Sequence, residues 1–159
     1  MKIALGADHA GFELKDKIRQ HLLDEGILVD DRGTNSSESV DYPDYARPVA
    51  AEVAARKADW CILICGSGIG MAIAANKVPG VRAANVTTEG EAQLSREHNN
   101  ANALTLGARF LDEPRALKIV DRWLSTSFAG GRHERRVEKI TAIEKEDFRL
   151  ASRQSCFHR

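Results

Sequence analysis

The chain has 159 residues, of which 43% are hydrophobic and 29% are charged, and its 23 lysines and arginines balance 23 aspartates and glutamates. This composition indicates one globular domain and excludes a disordered chain. The zero net charge argues against nucleic-acid binding, which needs a basic surface to neutralise phosphates. The longest apolar run, residues 60–65, is too short for a membrane span, and the first residues carry no signal-peptide pattern. We therefore expect a cytoplasmic protein that binds neither membrane nor nucleic acid.

Apolar runs alternate with amphipathic segments along the chain, and this alternation predicts strands that alternate with helices. The first strand spans residues 2–7, and the first helix begins near residue 12 and stops before Gly26. The elements that follow are strand 27–29, helix 43–57, strand 60–65, helix 71–77, strand 81–86, helix 89–99, strand 103–106, helix 113–127 and helix 133–152. The pattern predicts a single-domain α/β fold, a Rossmann-like three-layer sandwich with a five-stranded parallel sheet.

The carboxy-terminal part of the sequence differs from the rest in its polarity. The last predicted helix is rich in charge and carries a narrow apolar stripe of Val137, Ile140 and Ile143. Such a stripe is typical of a helix that docks on a neighbour, and we interpret it as a subunit contact. We expect the domain to span residues 1–145 and to be followed by a polar tail at 146–159.

The cysteines and histidines do not have the spacing of a disulfide framework or a metal site. Cys61 and Cys65 lie in one predicted strand and are about 13 Å apart, which excludes a bond between them. Cys156 stands alone, and the five histidines show no ligand spacing, so we expect no metal. Cys61 is most simply a small buried side chain.

A glycine loop, GSGIG at residues 66–70, follows the third predicted strand. Its backbone N–H groups could converge on an anion, or the glycines could only allow close packing of a helix on a strand. Met71 stands where a dinucleotide-binding loop has its third glycine, so we expect no nucleotide cofactor. Cys65 precedes the loop and is either a buried core residue or a thiol whose pKa is lowered by the helix N-terminus.

Other polar residues near the predicted strand ends each allow two interpretations. Asp8 and His9 could be an acid–base pair, or Asp8 could cap the first helix, and His98 could be a surface residue late in its helix. Arg132 and Arg136 share a helix face, which suits a phosphate or a solvated basic surface. We expect the segments around residues 8, 65 and 98 to meet at the carboxyl ends of the strands. Together a thiol, a carboxylate, an imidazole, an anion site and two arginines predict proton transfer on a phosphorylated carbonyl compound.

Five long stretches of the sequence resemble the ribose-5-phosphate isomerase type B family, in the group that also holds the galactose-6-phosphate isomerase subunits. They are IALGADHAGFELK, GTNSSESVDYPDYA, ILICGSGIGMAIAANKVPGVRAA, LSREHNNANALTLGAR and GGRHERRVEKI. The resemblance covers nearly the whole chain up to about residue 143. It implies a reversible isomerisation of ribose 5-phosphate and ribulose 5-phosphate that uses neither metal nor cofactor. It also implies homodimers or homotetramers whose pockets are built from two chains.

The resemblance implies a role for each matching residue. Cys65 would be the base, since Met71 occupies the position at which another branch of the family has a glutamate. His98 would donate a proton during opening of the sugar ring, assisted by Asp8 and Ser67. The remaining expected contacts are the enediolate on the backbone of Gly66, Gly68, Ile69 and Gly70, the phosphate on His9, Arg132 and Arg136, and a pocket lined by Tyr42, Asn99 and Arg109.

Two other functions fit the same residues. The substrate could be a six-carbon sugar phosphate, such as allose or galactose 6-phosphate, because one extra carbon changes the depth of a pocket and not its chemistry. The chain could also be a sensor that binds sugar phosphates or nucleotides without catalysis, since the fold alone does not specify an activity.

Overall fold

A computed structural model describes the backbone of residues 1–155 and the side chains of residues 1–146, so Cys156 lies outside the described residues. The strands of this part are β1 (Lys2–Ala7), β2 (Leu28–Asp31), β3 (Trp60–Cys65), β4 (Ala83–Asn85) and β5 (Ala103–Gly107). The helices are α1 (Phe12–Asp24), α2 (Tyr42–Ala54), α3 (Ile69–Ala75), α4 (Glu89–Asn99), α5 (Glu113–Ser125) and α6 (Arg132–Ser155). None of these helices is long and apolar enough to cross a membrane.

The five strands form one parallel sheet in the order β2-β1-β3-β5-β4. The sheet has an apolar core on each face. On one face α1, α4 and α5 contribute residues such as Ile18, Ala92 and Trp123. On the other face α2 and α3 contribute residues such as Val49 and Met71. The predicted three-layer α/β fold is confirmed.

The central strand β3 explains why its sequence is apolar without alternation. Ile62 and Ile64 pack into one core, while Cys61, Leu63 and Cys65 pack into the other. A strand that is covered on both faces gains from an apolar side chain at every position. The buried position predicted for Cys61 is confirmed, because its side chain is 0% exposed.

The predicted strand at 81–86 is too long, since β4 comprises only Ala83–Asn85. Strand β4 is the last strand of the sheet, and side chains, instead of a further strand, bond the backbone at its start. The carboxamide of Asn76 donates to the carbonyl oxygen of Ala83 and accepts its N–H, and the Asn102 side chain accepts the N–H of Arg82. These bonds satisfy the backbone where a longer strand would leave it unpaired.

The chain leaves β1 and β3 in opposite directions across the sheet, because β2 lies beyond β1 while β4 and β5 lie beyond β3. A crevice forms at the carboxyl ends of two such strands, and ligands of open α/β sheets bind there. The loops after β1 and β3 therefore border the expected binding site.

Helix α6 continues through Ser155, and the boundary expected at residue 145 stays a prediction.

Candidate active site

The loop after β1 holds Asp8 against the neighbouring strand. The backbone N–H of Asp8 donates to the carbonyl oxygen of Ile64, and its Oδ1 accepts the N–H groups of Ala10 and Gly11, each at 3.0 Å. A Cβ on Gly11 would lie 2.5 Å from the Ile64 oxygen, so only glycine allows this close approach. Asp8 is 6% exposed, and its carboxylate orders the turn before α1. It does not cap the helix as one interpretation predicted, because the N-cap residue is Gly11 and no side chain caps it.

The glycine loop surrounds the thiol at the end of β3. The N–H of Gly68 donates to Sγ of Cys65 at 3.1 Å, and the Cys65 side chain is 4% exposed. Gly68 has φ +76°, a left-handed conformation that turns the chain back into α3. Oγ of Ser67 accepts the N–H of Ile69 at 3.3 Å. The loop thus directs a backbone N–H donor at the sulfur.

The two cysteines of β3 have different surroundings. Burial raises the pKa of the Cys61 thiol to about 12, which keeps that sulfur protonated and inert. Cys65 points to the same face of the sheet but lies at its edge, beside the loop donor.

Two further side chains lie over the glycine loop and border the crevice. A Cβ built on Gly66 would stand 3.0 Å from the guanidinium carbon of Arg109, and one on Gly70 would stand 2.8 Å from the Tyr42 ring. Both side chains therefore occupy the space that a Cβ would need at these two glycines. The structure thus places Arg109 and Tyr42 at the loop that follows Cys65, and their expected role in lining a pocket stays a prediction.

His9 connects the first loop to the long segment before α2. Its Nδ1 accepts the N–H of Val40 at 3.1 Å. A neutral imidazole that accepts at Nδ1 carries its proton on Nε2, so this ring presents an N–H donor at its other nitrogen. Such a donor suits the phosphate role expected for His9.

Four of the expected site residues lie at the opposite edge of the sheet. Helix α4 ends at Asn99, and the loop after it lies beside the starts of β3 and β4. The backbone N–H of Cys61 donates to the carbonyl oxygen of Asn102, and the Arg82 side chain donates to the carbonyl oxygen of Asn99. His98 therefore lies at the amino ends of the strands, as does the start of α6, where the N–H of Ala129 donates to the carbonyl oxygen of Glu97. The expected meeting of residue 98 with residues 8 and 65 is wrong within one chain.

The reason lies in the direction of the helix. Helix α4 begins after the carboxyl end of β4 and must run back to start the next parallel strand, so its last turn ends at the opposite edge. The two edges are well separated, because the two ends of strand β5 are about 13 Å apart. Arg132 and Arg136 are exposed at this second edge, beside His98 and Asn99.

Sequence reasoning missed His133, which is only 8% exposed. Its ring stacks on that of His98, with centroids 4.1 Å apart and planes inclined by 5°. Burial lowers the pKa of His133, and the nearby His98, Arg132 and Arg136 lower it further. A signal was present, because His133 follows the paired glycines 130–131 by two positions, in the first turn of a helix and next to Arg132.

Arg96 is a second buried residue without an expected role, 5% exposed. Its guanidinium lies over the rings of Trp60 and Trp123 and donates to the carbonyl oxygens of Ala101 and Thr126. It fixes the turn behind His98. Among the residues with described side chains, no three His, Cys, Asp or Glu side chains converge as a metal ion would require.

Comparison with known proteins identifies the family of this chain. A family model described as Ribose/Galactose Isomerase matches residues 3–140. The chain belongs to this isomerase family. It is 52% identical over 144 residues to ribose-5-phosphate isomerase B of Escherichia coli, which covers 91% of the chain and 97% of that relative.

Solved structures of the isomerase family share the fold. Ribose-5-phosphate isomerase B of Clostridium thermocellum superposes with a TM-score of 0.91 at 52% identity, over 92% of this chain and 99% of that one. The Mycoplasma genitalium ribose-5-phosphate isomerase B, solved with bound ribulose 5-phosphate, gives a TM-score of 0.88 at 46% identity, over 91% and 97% of the two chains. The resemblance stated from the sequence motifs is confirmed.

Proposed function

We propose that this chain interconverts D-ribose 5-phosphate and D-ribulose 5-phosphate through a cis-enediolate, with Cys65 as the base. The observation that carries the proposal is the position of the Cys65 sulfur, at the crevice between β1 and β3 with the Gly68 N–H directed at it. The relatives named as ribose-5-phosphate isomerases, one of them solved with the product sugar, support the substrate.

The chemistry needs one group that removes and returns a proton. The Cys65 thiolate takes the proton from C2 of the open-chain aldose, and the electron pair of that C–H bond forms a C1=C2 bond. The C1=O π bond breaks at the same time and leaves its electron pair on O1, which gives the enediolate. The same thiol then gives the proton to C1, while a proton moves from O2 to O1, so atoms and charge balance. Met71 supports this assignment, because it is 0% exposed in the core and offers no group that titrates.

The negative charge that develops on the sugar oxygens needs donors already in place. The backbone of Gly66, Gly68, Ile69 and Gly70 supplies N–H groups beside Cys65, in the manner of an oxyanion hole. Asp8 and Ser67 border the same crevice and assist the opening of the ring, with His98 as the proton donor. Tyr42 and Arg109 cover the loop and exclude water that would let the enediolate lose its phosphate.

The site needs residues from both edges of the sheet, so we also propose that it forms between two copies of the chain. One copy supplies the Cys65 loop and His9, while the other supplies His98, Asn99, Arg132 and Arg136. A homodimer or homotetramer places the two edges face to face. The exposed apolar residues of α3 and α6 offer surfaces for such contacts: Ile69 is 54% and Ile73 58% exposed, and Ile143 is 59% exposed.

The cytoplasmic location stays a prediction.

Kinetics on the purified chain test the proposed reaction. We expect a higher kcat/KM for ribose 5-phosphate than for allose 6-phosphate or galactose 6-phosphate, together with exchange of the C2 hydrogen with solvent. A preference for a hexose phosphate would contradict the substrate. Binding of ribose 5-phosphate without any hydrogen exchange would contradict catalysis and indicate a sensor.

A further inference from the structure

The imidazoles of His98 and His133 form a stacked pair where two helices meet. His98 lies in the last turn of α4 and His133 in the first turn of α6. Their centroids are 4.1 Å apart and their planes nearly parallel, and the backbone bond from Ala129 to Glu97 fixes the two helices beside them. Because His133 is nearly buried, its ring restricts the orientation of the His98 ring.

His133 also contacts an arginine that the proposed function assigns to the phosphate. Nε of Arg132 donates to Nε2 of His133 at 3.4 Å. An acceptor at Nε2 requires a neutral ring with its proton on Nδ1. This bond uses one N–H of the guanidinium and leaves the terminal NH₂ groups of Arg132 for an anion.

The charges around His133 agree with a neutral ring. Its pKa is lowered by burial and by His98, Arg132 and Arg136, and Glu97 opposes this effect. A protonated His133 could not accept from Arg132 and would repel it. The same imidazole therefore serves as a flat surface for His98 and as an acceptor for Arg132.

We propose that His133 is a positioning residue that holds the proton donor His98 and the phosphate ligand Arg132 in one fixed arrangement. The inference rests on the proposed function for the roles of these two residues. It adds that the ring face of His133 acts through His98 and that its Nε2 acts through Arg132. The two actions can be separated by substitution.

Two variants each remove one of the two actions. His133→Phe keeps a flat ring but has no acceptor, so we expect KM for ribose 5-phosphate to rise about tenfold with little change in kcat. His133→Gln keeps an acceptor near the place of Nε2 but has no ring to stack, so we expect kcat to fall about tenfold with little change in KM. His21→Phe is the matched control, because His21 pairs with Asp121 between α1 and α5 and not with any residue assigned to the site.

A double-mutant cycle shows which residue each effect passes through. In the Arg132→Ala background, His133→Phe should raise KM no further, because its only target is gone. A merely structural role predicts instead that the two effects multiply, and that His133→Phe and His133→Gln change kcat and KM alike. Either result would overturn the inference, and thermal unfolding of each variant identifies loss of folding.

Inorganic phosphate separates the inference from the proposed function. If the unmodified chain does not isomerise ribose 5-phosphate, the proposed function fails, and phosphate binding measured by calorimetry still tests the contact with Arg132. We expect His133→Phe and Arg132→Ala to weaken phosphate binding to a similar extent and His133→Gln to leave it unchanged. Equal phosphate affinity in His133→Phe and the unmodified chain would contradict the inference alone.

Discussion

At the scale of single residues, position along one strand separates two cysteines of the same type. Cys61 is enclosed by the core, and burial raises its pKa to about 12. Cys65 lies four residues further along the same face, where the strand ends and the Gly68 N–H reaches the sulfur at 3.1 Å. Cys65 therefore differs from the inert Cys61 in two respects: a backbone N–H donates to its sulfur, and it lies where the strand ends.

The first prediction concerns Cys65→Ala. We expect turnover to fall by about 10²- to 10⁴-fold while ribose 5-phosphate still binds, since the base is lost and the binding groups remain. Initial rates and calorimetric binding measure the two effects. Cys65→Ser should not restore turnover, because a hydroxyl is too weakly acidic to act as the base near pH 7.

Cys61→Ala is the matched control for this experiment. It should keep turnover and lose on the order of 1 kcal/mol of stability, because it leaves a small cavity in the core. Iodoacetamide should inactivate the enzyme through Cys65, and bound substrate should slow that reaction. A folded Cys65→Ala protein with near-normal turnover would place the base elsewhere, with Asp8 the first candidate.

At the scale of elements, the turn from β3 into α3 depends on one left-handed residue. Gly68 has φ +76°, and a Cβ there would meet the Asn85 side chain and stand 2.9 Å from the carbonyl carbon of Leu106. The hydroxyl of Thr105 donates to Asn85 and holds that side chain against the loop. The loop is thus pressed between β3 and the ends of β4 and β5, which explains why the glycine is needed there.

The second prediction follows from this contact. Gly68→Ala should destabilise the fold by at least about 1 to 2 kcal/mol, which is the cost of an L-residue in the left-handed backbone conformation. It should also lower kcat at least tenfold, because the shifted loop moves the N–H of residue 68 away from Cys65. Thermal unfolding and initial rates measure both. Gly90→Ala is the control: a Cβ at Gly90 meets nothing within 4 Å in the first turn of α4, so stability should be unchanged or slightly higher. Equal behaviour of the two variants would contradict the argument.

At the scale of the whole molecule, the groups that the chemistry needs lie at two edges of one sheet. Cys65 and its loop occupy the carboxyl ends of the strands, while His98 and the start of α6 occupy the amino ends. A rigid sheet keeps these edges apart, so a single chain does not assemble the full set. The proposed sharing of pockets between two chains would bring the two edges together and would make self-association a condition of activity.

The third prediction tests this sharing by complementation. Cys65→Ala and His98→Asn are each expected to be nearly inactive alone. When equal amounts are unfolded and refolded together, half of the dimers combine one chain of each kind, and one of their two sites has both Cys65 and His98 intact. Activity should therefore return to about a quarter of that of the unmodified protein.

The controls for complementation use chains that cannot complement. The double variant Cys65→Ala/His98→Asn, refolded with Cys65→Ala, should stay inactive, because no site then contains both groups. Absence of recovery in the first mixture, with mixed dimers demonstrated by mass spectrometry, would show that each pocket is built within one chain.

The sequence by itself determined the fold class, the family and the set of reactive side chains. Apolar periodicity and turn residues are local signals, and they were enough to place β1, β3 and α4 with the bounds that the structure has. The glycines around Cys65 and the motif at Asp8 also lie within short stretches of chain, so their chemistry could be predicted from the sequence.

Only the tertiary structure decided which of these side chains meet. The prediction that His98 meets Cys65 within one chain failed, because α4 runs across the sheet and ends at the opposite edge. The start of β4 was misplaced because the side chains of Asn76 and Asn102, which a strand pattern does not reveal, bond the backbone of Ala83 and Arg82. The stack of His133 on His98 joins residues 35 positions apart, at a helix crossing that no local pattern encodes. Contacts between distant segments depend on how whole elements pack, and that packing decided the division of the site between two edges.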